Sequence, residues 1–308
     1  MARSLSIAVL LDPRDAHAER RQYRIWPLIE AWKRLGHGIV VTRDPDEACR
    51  ADVLLPHLDV SRIPEPIWKR IRTHARLLNR HIRDVRKSAI SAHLLNREDP
   101  HTGPVIVKTN NNSGGFRDFE RTVPRWLRTA SLAWHRVLWS PAARRHGFRW
   151  TRMLPRYPVF PSIESVPTSV WANPHLVVER FFEPDRDAEG RYVMFMWIVL
   201  GDRGLGRTLS GRTRVVKDTN AKLGAFERPP EMILATQRSL GVEYGKIDYV
   251  VHQGQPVVLD INPTPVVTGE SRTDKHILES GRIASAIESL PWSEPLSVET
   301  QAPDTQTR

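Results

Sequence analysis

Apolar and polar positions in the first eighty residues alternate between short strand-like runs and amphipathic segments. The apolar runs predict strands over residues 5–11, 39–42, 52–58 and 75–79. Apolar residues recur at helical spacing over residues 25–35, where Gly36 closes the pattern, and residues 65–74 predict a second helix. Because strands alternate with helices, residues 1–80 are expected to form a small α/β domain with a parallel sheet.

The remainder of the chain predicts a mixed α and β region. Helices are expected over residues 84–95, 125–139 and 229–240, and strands over residues 104–109, 176–182, 192–200 and 207–216. Residues 247–252 and 256–261 flank the turn signal Gly254 and predict a β-hairpin. Residues 291–308 are polar after Leu296 and predict a disordered tail.

This hairpin carries the first candidate site. Side chains alternate between the two faces of a strand, so Asp260 and Asn262 share one face, and the partner strand brings Asp248 close to both. Two carboxylates and an amide oxygen are hard donors of the kind that bind Mg²⁺ together with substrate phosphates. The alternative is a hairpin with ordinary polar residues on a solvated face.

A second candidate site follows the strand at residues 104–109. Lys108 lies near the end of that strand and faces solvent in this prediction, and the sequence NNNSGG follows at residues 110–115. Glycines let backbone N–H groups approach an anion, and the lysine adds a positive charge, so the pattern is typical of a phosphate-binding loop outside the folded core. It lacks the ending of a P-loop, and no dinucleotide-binding glycine pattern follows the first strand. The alternative is a simple turn between two strands.

Composition narrows the function classes. The 308 residues carry a net charge of +11, but only eight of the 46 basic residues are lysine, and the arginines are scattered along the chain. A diffuse charge lacks the clustered pattern of a nucleic-acid site, so nucleic acid is not the expected partner. No apolar run reaches the roughly 20 residues that span a bilayer, so no membrane association is expected. The single cysteine, Cys49, excludes an internal disulfide and favours a cytoplasmic location.

Taken in order, these motifs resemble the ATP-grasp superfamily. The likeness rests on Lys87 opening a helix, VIVKTNNNSGG, LVVERFF, the basic segment 207–216, GKIDYVV and VLDINPTP, and it covers about residues 84–268. It implies an ATP-grasp domain over residues 81–290, with a smaller nucleotide lobe at 104–182 and a metal-binding lobe at 183–290. The preceding α/β unit resembles the N-terminal domain of that superfamily. Asp260 stands where the family usually has glutamate.

The resemblance also implies roles for individual residues. Lys87 and Lys108 would contact the phosphates of ATP, and Lys246 would face the terminal phosphate. Two Mg²⁺ ions would be held by Asp248, Asp260 and Asn262. The remaining nucleotide contacts would be made by the loop residues Asn112, Ser113, Gly114 and Gly115, and by Glu179, Arg180 and Phe181 beside the adenine. For the ribose, Glu183, Asp185 and Asp187 remain alternatives.

The activity implied is an ATP- and Mg²⁺-dependent ligation, in which a carboxylate becomes an acyl phosphate and then joins an amine. Its substrates would be small carboxylates and amines, including amino acids or peptides, and the protein could form a homo-oligomer. Arg212 and Arg214 are two residues apart on the predicted strand and could hold the carboxylate or the phosphate. The alternatives are a kinase on the same fold and a non-catalytic protein that binds nucleotide or nucleic acid.

Overall fold

The computed structural model describes residues 4–15, 18–20, 22–127, 130, 133, 148–217, 221–267 and 272–290. Most of the helix predicted at residues 125–139, and the whole tail predicted at residues 291–308, lie outside the described residues. Of that helix, Arg125–Leu127 is described, as one turn of 3₁₀ helix.

The N-terminal unit is a three-stranded parallel sheet in the order β2-β1-β3. Its strands are β1 (Ser6–Leu11), β2 (Gly38–Thr42) and β3 (Val53–His57), and its helices are α1 (Ile25–Arg34), α2 (Pro45–Ala48) and α3 (Glu65–Ile71). All five residues of β3 are buried, as expected of a parallel strand covered on both faces. The predicted α/β class is confirmed.

The fourth strand predicted at residues 75–79 is wrong. This segment makes only an isolated bridge between Leu77 and Leu54. The chain instead wraps around the buried Arg80 guanidinium, which donates to the carbonyl oxygens of Arg72, His74 and Ala75 at 3.0, 2.6 and 2.9 Å. Backbone groups that satisfy a buried cation are not available to a sheet ladder.

A four-stranded antiparallel sheet in the order β4-β7-β5-β6 forms the smaller lobe. Its strands are β4 (Leu94–Leu95), β5 (Val105–Thr109), β6 (Val159–Phe160) and β7 (Leu176–Arg180), with helices α4 (Lys87–Ile90), α5 (Phe116–Thr122) and α6 (Thr168–Trp171). The helix predicted over residues 84–95 is only the single turn α4. Ser91 is extended, and Leu94 and Leu95 gain a pairing with β7 that a longer helix would deny them.

The larger lobe is a five-stranded antiparallel sheet in the order β10-β9-β8-β11-β12. Its strands are β8 (Tyr192–Leu200), β9 (Arg203–Gly211), β10 (Ala221–Phe226), β11 (Tyr244–His252) and β12 (Gln255–Asn262). Helix α7 (Glu231–Ser239) precedes β11, and helices α8 (Asp274–Ala284) and α9 (Ala286–Ser289) follow β12.

The strand predicted over residues 207–216 starts and ends too late. A tight turn at Gly201 (φ +58°) pairs Leu200 directly with Arg203, which sets the strand four residues earlier.

Helix α1 joins the N-terminal sheet to the larger lobe. Trp32 is fully buried, and its indole N–H donates to the carbonyl oxygen of Ala284 in α8 at 3.0 Å. The same apolar cluster contains Val9 of the N-terminal sheet together with Leu200 and Tyr244 of the larger lobe. One continuous core therefore fixes the N-terminal unit against the larger lobe. None of the helices described in this chain is long and apolar enough to cross a membrane.

Candidate functional site

The two antiparallel sheets face a cavity of about 940 Å³. Side chains from both lobes and from the N-terminal unit line it. Among the residues that the structure describes, nine lysines and arginines line the cavity, against three carboxylates: Arg24, Lys87, Lys108, Arg180, Arg207, Arg214, Lys217, Lys246 and Lys275, with Asp248, Asp260 and Glu279. The excess of positive charge around this cavity favours a polyanionic ligand.

The β11–β12 hairpin supplies the acidic wall of the cavity. In its register Asp248 lies directly opposite Asp260, and Lys246 lies opposite Asn262. All four residues line the cavity, as strand alternation predicts. An irregularity between Asp248 and Tyr249 shifts the register just beyond the acidic pair.

Each of the three lysines singled out in the sequence forms an ion pair with a carboxylate. Lys87 Nζ lies 2.7 Å from Asp260 Oδ1, Lys108 Nζ lies 2.7 Å from Glu179 Oε2, and Lys246 Nζ lies 2.7 Å from Asp248 Oδ2. The side chains of Lys87 and Lys108 are only 2% and 8% exposed. Two of these pairs join segments that are far apart in the chain, so folding assembles the charges of the site.

Burial and neighbouring charges act against each other at this wall. Burial lowers the pKa of the Lys87 ammonium, but the Asp260 carboxylate, with further contributions from Tyr157 and Glu179, outweighs that effect and leaves the pKa above its ordinary value. Burial raises the pKa of Asp248, and this effect outweighs the opposing influence of Lys246, while the nearby charge of Asp260 raises the pKa further. A cation placed between Asp248 and Asp260 would relieve both effects on Asp248.

The residues of this wall fit Mg²⁺ bound by two carboxylates. Asp248 Oδ1 is buried and has no hydrogen-bond partner among the described residues. Asn262 Oδ1 already accepts hydrogen bonds from Thr264 N and Thr264 Oγ1, each at 2.9 Å. Within the described ranges no group of three or more His, Cys, Asp or Glu side chains is arranged for a metal. Two carboxylates completed by substrate phosphates are the usual way in which proteins hold Mg²⁺.

The loop at residues 110–115 packs closely instead of standing free. Asn112, Ser113 and Gly114 line the cavity, whereas Gly115 lies behind them. Gly114 and Gly115 have φ values of +65° and +78°, and a Cβ atom at these positions would come within 2.8 Å of Leu154 O and 2.4 Å of Arg152 O. Glycine is therefore required by the contact with residues 152–154 as well as by backbone conformation. The expectation of a loop outside the folded core is wrong on this point.

The N-terminal unit holds this loop through Ser61. Asn112 N donates to Ser61 Oγ at 2.7 Å, and Ser61 Oγ donates to Asp118 Oδ2 at 2.6 Å. Nearby, Asp59 accepts a hydrogen bond from Tyr23 Oη at 2.7 Å. The Thr264 hydroxyl lies 3.1 Å from Asp59 Oδ1 and shares its one hydrogen between Asp59 and Asn262. Residues 59–61 thus connect the candidate phosphate loop with the segment that orients Asn262.

The segment predicted to bind adenine is only partly in the cavity. Arg180 and Phe181 line it, whereas Glu179 is buried behind them against Lys108, and its Oε1 has no hydrogen-bond partner among the described residues. Glu179 therefore contacts the phosphate-side lysine in this structure. A ligand that drew Lys108 toward a phosphate would release the Glu179 carboxylate for another donor.

Two of the three ribose candidates accept hydrogen bonds from backbone N–H groups outside the cavity. Asp187 accepts hydrogen bonds from the backbone N–H groups of Glu189 and Arg191, and Asp185 accepts those of Gln253 and Gly254. Neither lines the cavity. Glu183 accepts a hydrogen bond from Tyr192 Oη at 3.1 Å and lies between the cavity residues Phe182 and Pro184. Of the three, Glu183 is the acid whose sequence neighbours line the cavity.

Comparison with known proteins gives structural neighbours only. The sequence matches no protein-family model, and no curated protein matches it. The structure is similar to the ATP-grasp ligase PsnB, solved in complex with minimal precursor, Mg and ADP: the TM-score is 0.50, the identity is 11%, and the match covers 91% of this chain and 97% of that chain. The chain has the ATP-grasp fold.

Two further solved structures match over comparable lengths. The macrocyclase MdnC from Microcystis aeruginosa MRC, bound with precursor peptide MdnA, gives a TM-score of 0.49 at 10% identity, covering 92% of this chain and 99% of that one. The D-alanine–D-alanine ligase from Bacillus anthracis gives a TM-score of 0.45 at 12% identity, covering 93% and 95%.

Within this ATP-grasp fold, the basic end of the cavity differs from the sequence expectation. Arg212 and Arg214 lie beyond the end of β9 and are exposed, and Arg212 does not line the cavity. Arg214 does line it, with its guanidinium 5.6 Å from the centre of the Phe181 ring. Arg207 is the basic residue of β9 that faces the cavity. If the register of β9 had been known, the alternation of side chains along the strand would have placed Arg207 on the face toward the cavity.

Sequence reasoning also missed Arg24 and Glu279. Arg24 belongs to the N-terminal unit and Glu279 to α8, yet they form an ion pair of 3.2 Å at the edge of the cavity. The two residues are 255 positions apart in the chain. Their meeting depends on how α1 packs against α8, for which the sequence has no local signal.

Proposed function

We propose that this protein is an ATP- and Mg²⁺-dependent ligase that activates a carboxylate as an acyl phosphate and joins it to an amine. The observation that carries the proposal is the set of three lysine–carboxylate pairs around one cavity between the lobes. Lysines bind phosphate oxygens, and the carboxylates Asp248 and Asp260 are suited to Mg²⁺, so these five side chains match what a nucleoside triphosphate with its metal requires. Glu179 does not line the cavity and holds Lys108 from behind.

In this proposal Lys87, Lys108 and Lys246 leave their carboxylate partners for phosphate oxygens. Ser113 and Gly114 lie beside the same phosphates, because this loop lines the cavity with Lys108. The Ser113 N–H donates to Asn112 Oδ1 at 2.8 Å, so this N–H reaches a phosphate only if the Asn112 side chain turns away. Asp248 and Asp260 are the residues that would hold Mg²⁺, and Asn262 would contribute if its amide turned away from Thr264. Phe181 and the backbone of Arg180 contact the base, and Glu183 is the preferred ribose contact.

The reaction follows from positioning and charge. An oxygen of the substrate carboxylate attacks the γ-phosphorus, the bond from that phosphorus to the bridging oxygen breaks, and ADP leaves. Bound Mg²⁺ would offset the negative charge that collects on the phosphate oxygens. An amine then attacks the acyl carbon, a C–N bond forms, inorganic phosphate leaves and the amine loses a proton. The protein supplies no nucleophile of its own, and Lys246 stabilises the transferred phosphoryl group.

Amino acids or peptides are the substrate classes that we favour. PsnB was solved with a minimal precursor, and the cavity of about 940 Å³ can hold a nucleotide together with part of a second molecule. A kinase would use the same nucleotide site and end at phosphate transfer. It differs from a ligase only in its acceptor.

The test is incubation of the purified protein with Mg²⁺-ATP and panels of carboxylates, amino acids and short peptides, with parallel measurement of phosphate release and product mass. A ligase gives one phosphate and one ADP for each new amide bond. A phosphorylated product without amide formation would identify a kinase. Tight, salt-dependent binding to DNA or RNA with no ATP consumption would reject both activities.

A further inference from the structure

A cluster of charged residues at the end of the cavity nearest the N-terminal unit takes no part in the proposed nucleotide site. Arg24 and Arg207 share one carboxylate: Arg24 Nη1 lies 3.2 Å from Glu279 Oε2, and Arg207 Nη2 lies 2.7 Å from Glu279 Oε1. The Arg24 side chain is 3% exposed, and its Nε has no hydrogen-bond partner among the described residues. All three residues line the cavity.

The charges of this cluster are unequal. Burial acts to raise the pKa of Glu279, but Arg207 and Arg24 outweigh it, so the pKa lies below its ordinary value and the group is a carboxylate. Two guanidinium groups therefore face a single negative charge. A buried cation without a full counter-charge is costly, and a bound anion removes that cost.

Helix α8 adds to the positive potential. Thr273 caps its N-terminus by accepting a hydrogen bond from His276 N, and Thr273, Lys275 and His276 line the cavity. His276 Nδ1 lies 3.4 Å from Glu279 Oε2, which places this helix terminus beside the cluster. An eleven-residue helix directs the positive end of its dipole to this place. The helix dipole and the excess of guanidinium charge over the single Glu279 carboxylate are separate observations that favour an anion beside this cluster.

The sheet register separates this cluster from the phosphate-binding wall. Asp260 pairs with Asp248, Asp248 pairs with Met196, and Met196 pairs with Arg207, in one row across four strands. Two strand spacings, about 10 Å in backbone distance, therefore lie between Asp248 and Arg207. The Arg207 guanidinium is directed to Glu279, away from that wall.

We propose that Arg24 and Arg207, held by Glu279, bind a second carboxylate of the substrate, distinct from the carboxylate that is activated. Guanidinium groups recognise carboxylates through paired hydrogen bonds, and two of them at a fixed spacing select for a charged group over an amide. The substrate class is thus a diacid, an acidic amino acid or a peptide with a free acidic group. This inference rests on the proposed function, because that function defines which carboxylate reacts.

The purpose of Glu279 in this arrangement is to hold the two arginines. Without it, two guanidinium groups in one cavity would repel each other, and their side chains would turn toward solvent. If the cluster served only to join α1 with α8, a single arginine would be enough. Trp32 and its apolar neighbours already join these two helices.

The experiment is a calorimetric titration of the full-length protein, with Mg²⁺-ADP present, using succinate, glutarate and adipate, each compared with its monoamide. At least one diacid is expected to bind about ten times or more as tightly as its monoamide. Three chain lengths are used so that the spacing of the two carboxylates does not decide the result. If every diacid binds no better than its monoamide, the proposal is wrong.

Variants test whether the preference for diacids over monoamides comes from the arginine cluster. Arg207→Met is expected to reduce the diacid preference to about threefold or less, and Arg24→Met to do the same where circular dichroism shows that it folds. Arg203→Met is the matched control, because Arg203 lies on the same strand, is exposed and does not line the cavity. A preference that survives in Arg207→Met would overturn the assignment.

The proposed function is measured separately by the binding of Mg²⁺-ADP itself. If Mg²⁺-ADP does not bind, the assignment of the cavity to a nucleotide is wrong. A diacid preference that still depends on Arg207 would support the anion subsite even in that case. If Mg²⁺-ADP binds and the diacids show no preference, only the subsite is wrong.

Discussion

Lys87 and Asp260 form an ion pair across the cavity, with 2.7 Å between Nζ and Oδ1, although 173 residues separate them in the chain. Lys87 belongs to the short helix α4, and its backbone N–H donates to Asn110 O at 2.8 Å, whereas Asp260 belongs to the hairpin of the larger lobe. This single contact therefore joins the candidate phosphate loop to the acidic wall that we propose for Mg²⁺. Removing only Asp260 would leave a buried ammonium group without its carboxylate.

The Lys108–Glu179 pair allows the first prediction. Lys108→Met is expected to lower the free energy of unfolding by about 3–5 kcal/mol, because it leaves the Glu179 carboxylate buried without a cation. Adding Glu179→Gln should restore most of that stability while Mg²⁺-ATP binding stays weak. Urea unfolding and nucleotide titration measure the two effects. The sequence alone indicated a solvent-facing lysine with no stability effect, and a single variant as stable as the wild type would support that interpretation.

Gly115 provides a test of the packed loop. Gly115→Ala is expected to destabilise the protein by about 2 kcal/mol or more, because the new Cβ meets Arg152 O and the residue must keep a positive φ. Gly190→Ala is the control, since Gly190 has φ +73° with nothing within 4 Å of its Cβ position. The difference between the two melting temperatures isolates the contact. Equal losses in both variants would mean that backbone conformation alone requires the glycine.

Ser61 should affect nucleotide binding although it does not line the cavity. Ser61→Ala removes the acceptor for Asn112 N and the donor to Asp118, so the phosphate loop loses its connection to the N-terminal unit. We expect Mg²⁺-ATP affinity to fall about tenfold, as the loss of roughly one such hydrogen bond implies, and Ser61→Thr to retain it. Ser165→Ala, in an exposed turn, is the control. An unchanged dissociation constant in Ser61→Ala would show that the connection does not position the loop.

His57 is expected to make the fold sensitive to acid. Burial lowers its pKa from the ordinary 6.5 to about 3, and neither ring nitrogen has a hydrogen-bond partner among the described residues. The titratable groups whose rings pack against it are Tyr23 and Tyr244. Because the unfolded chain binds the proton more readily, stability should fall as the pH drops from about 6.5 toward about 3, by about 1.4 kcal/mol per pH unit.

The matching variant for that prediction is His57→Phe. Phenylalanine preserves the ring packing and removes the titrating group, so the slope of unfolding free energy against pH should decrease by about one proton between about pH 6.5 and 3. Guanidinium unfolding at several pH values measures the slope. An identical slope in the variant and the wild type would assign the acid sensitivity to other groups.

The parts of the fold that the sequence predicted depend on local periodicity. Alternation placed Asp248, Asp260 and Asn262 on one face of a hairpin, and the register confirms that face. The α4 segment and β9 were predicted with wrong bounds, because the pairing of Leu94–Leu95 with β7 and the turn at Gly201 decide them. These are tertiary contacts that override local preference.

In the candidate site, too, the sequence predicted residues that have a local signal and missed those that depend on tertiary contacts. Lysines were noticeable because they are rare in this chain, whereas Arg24 and Arg207 were hidden among 38 arginines. Ser61 and Glu279 join the site through contacts between segments that are 51 and 255 residues apart. No spacing rule within one element could have indicated them. The rest of the site is formed by strand pairing and side-chain packing between segments that are distant in the sequence.

The most direct test of the account is the shift in melting temperature caused by Mg²⁺-ATP, compared with ATP without Mg²⁺. Wild type and the double variant Lys87→Met/Asp260→Asn are compared, since the double variant avoids leaving a buried, unpaired ammonium group. We expect saturating Mg²⁺-ATP, at about 100 times its dissociation constant, to stabilise the wild type by about 2.7 kcal/mol, and the double variant to lose most of this stabilisation. Equal shifts in both proteins, or no Mg²⁺-dependent shift in the wild type, would contradict the assignment of this cavity to Mg²⁺-ATP.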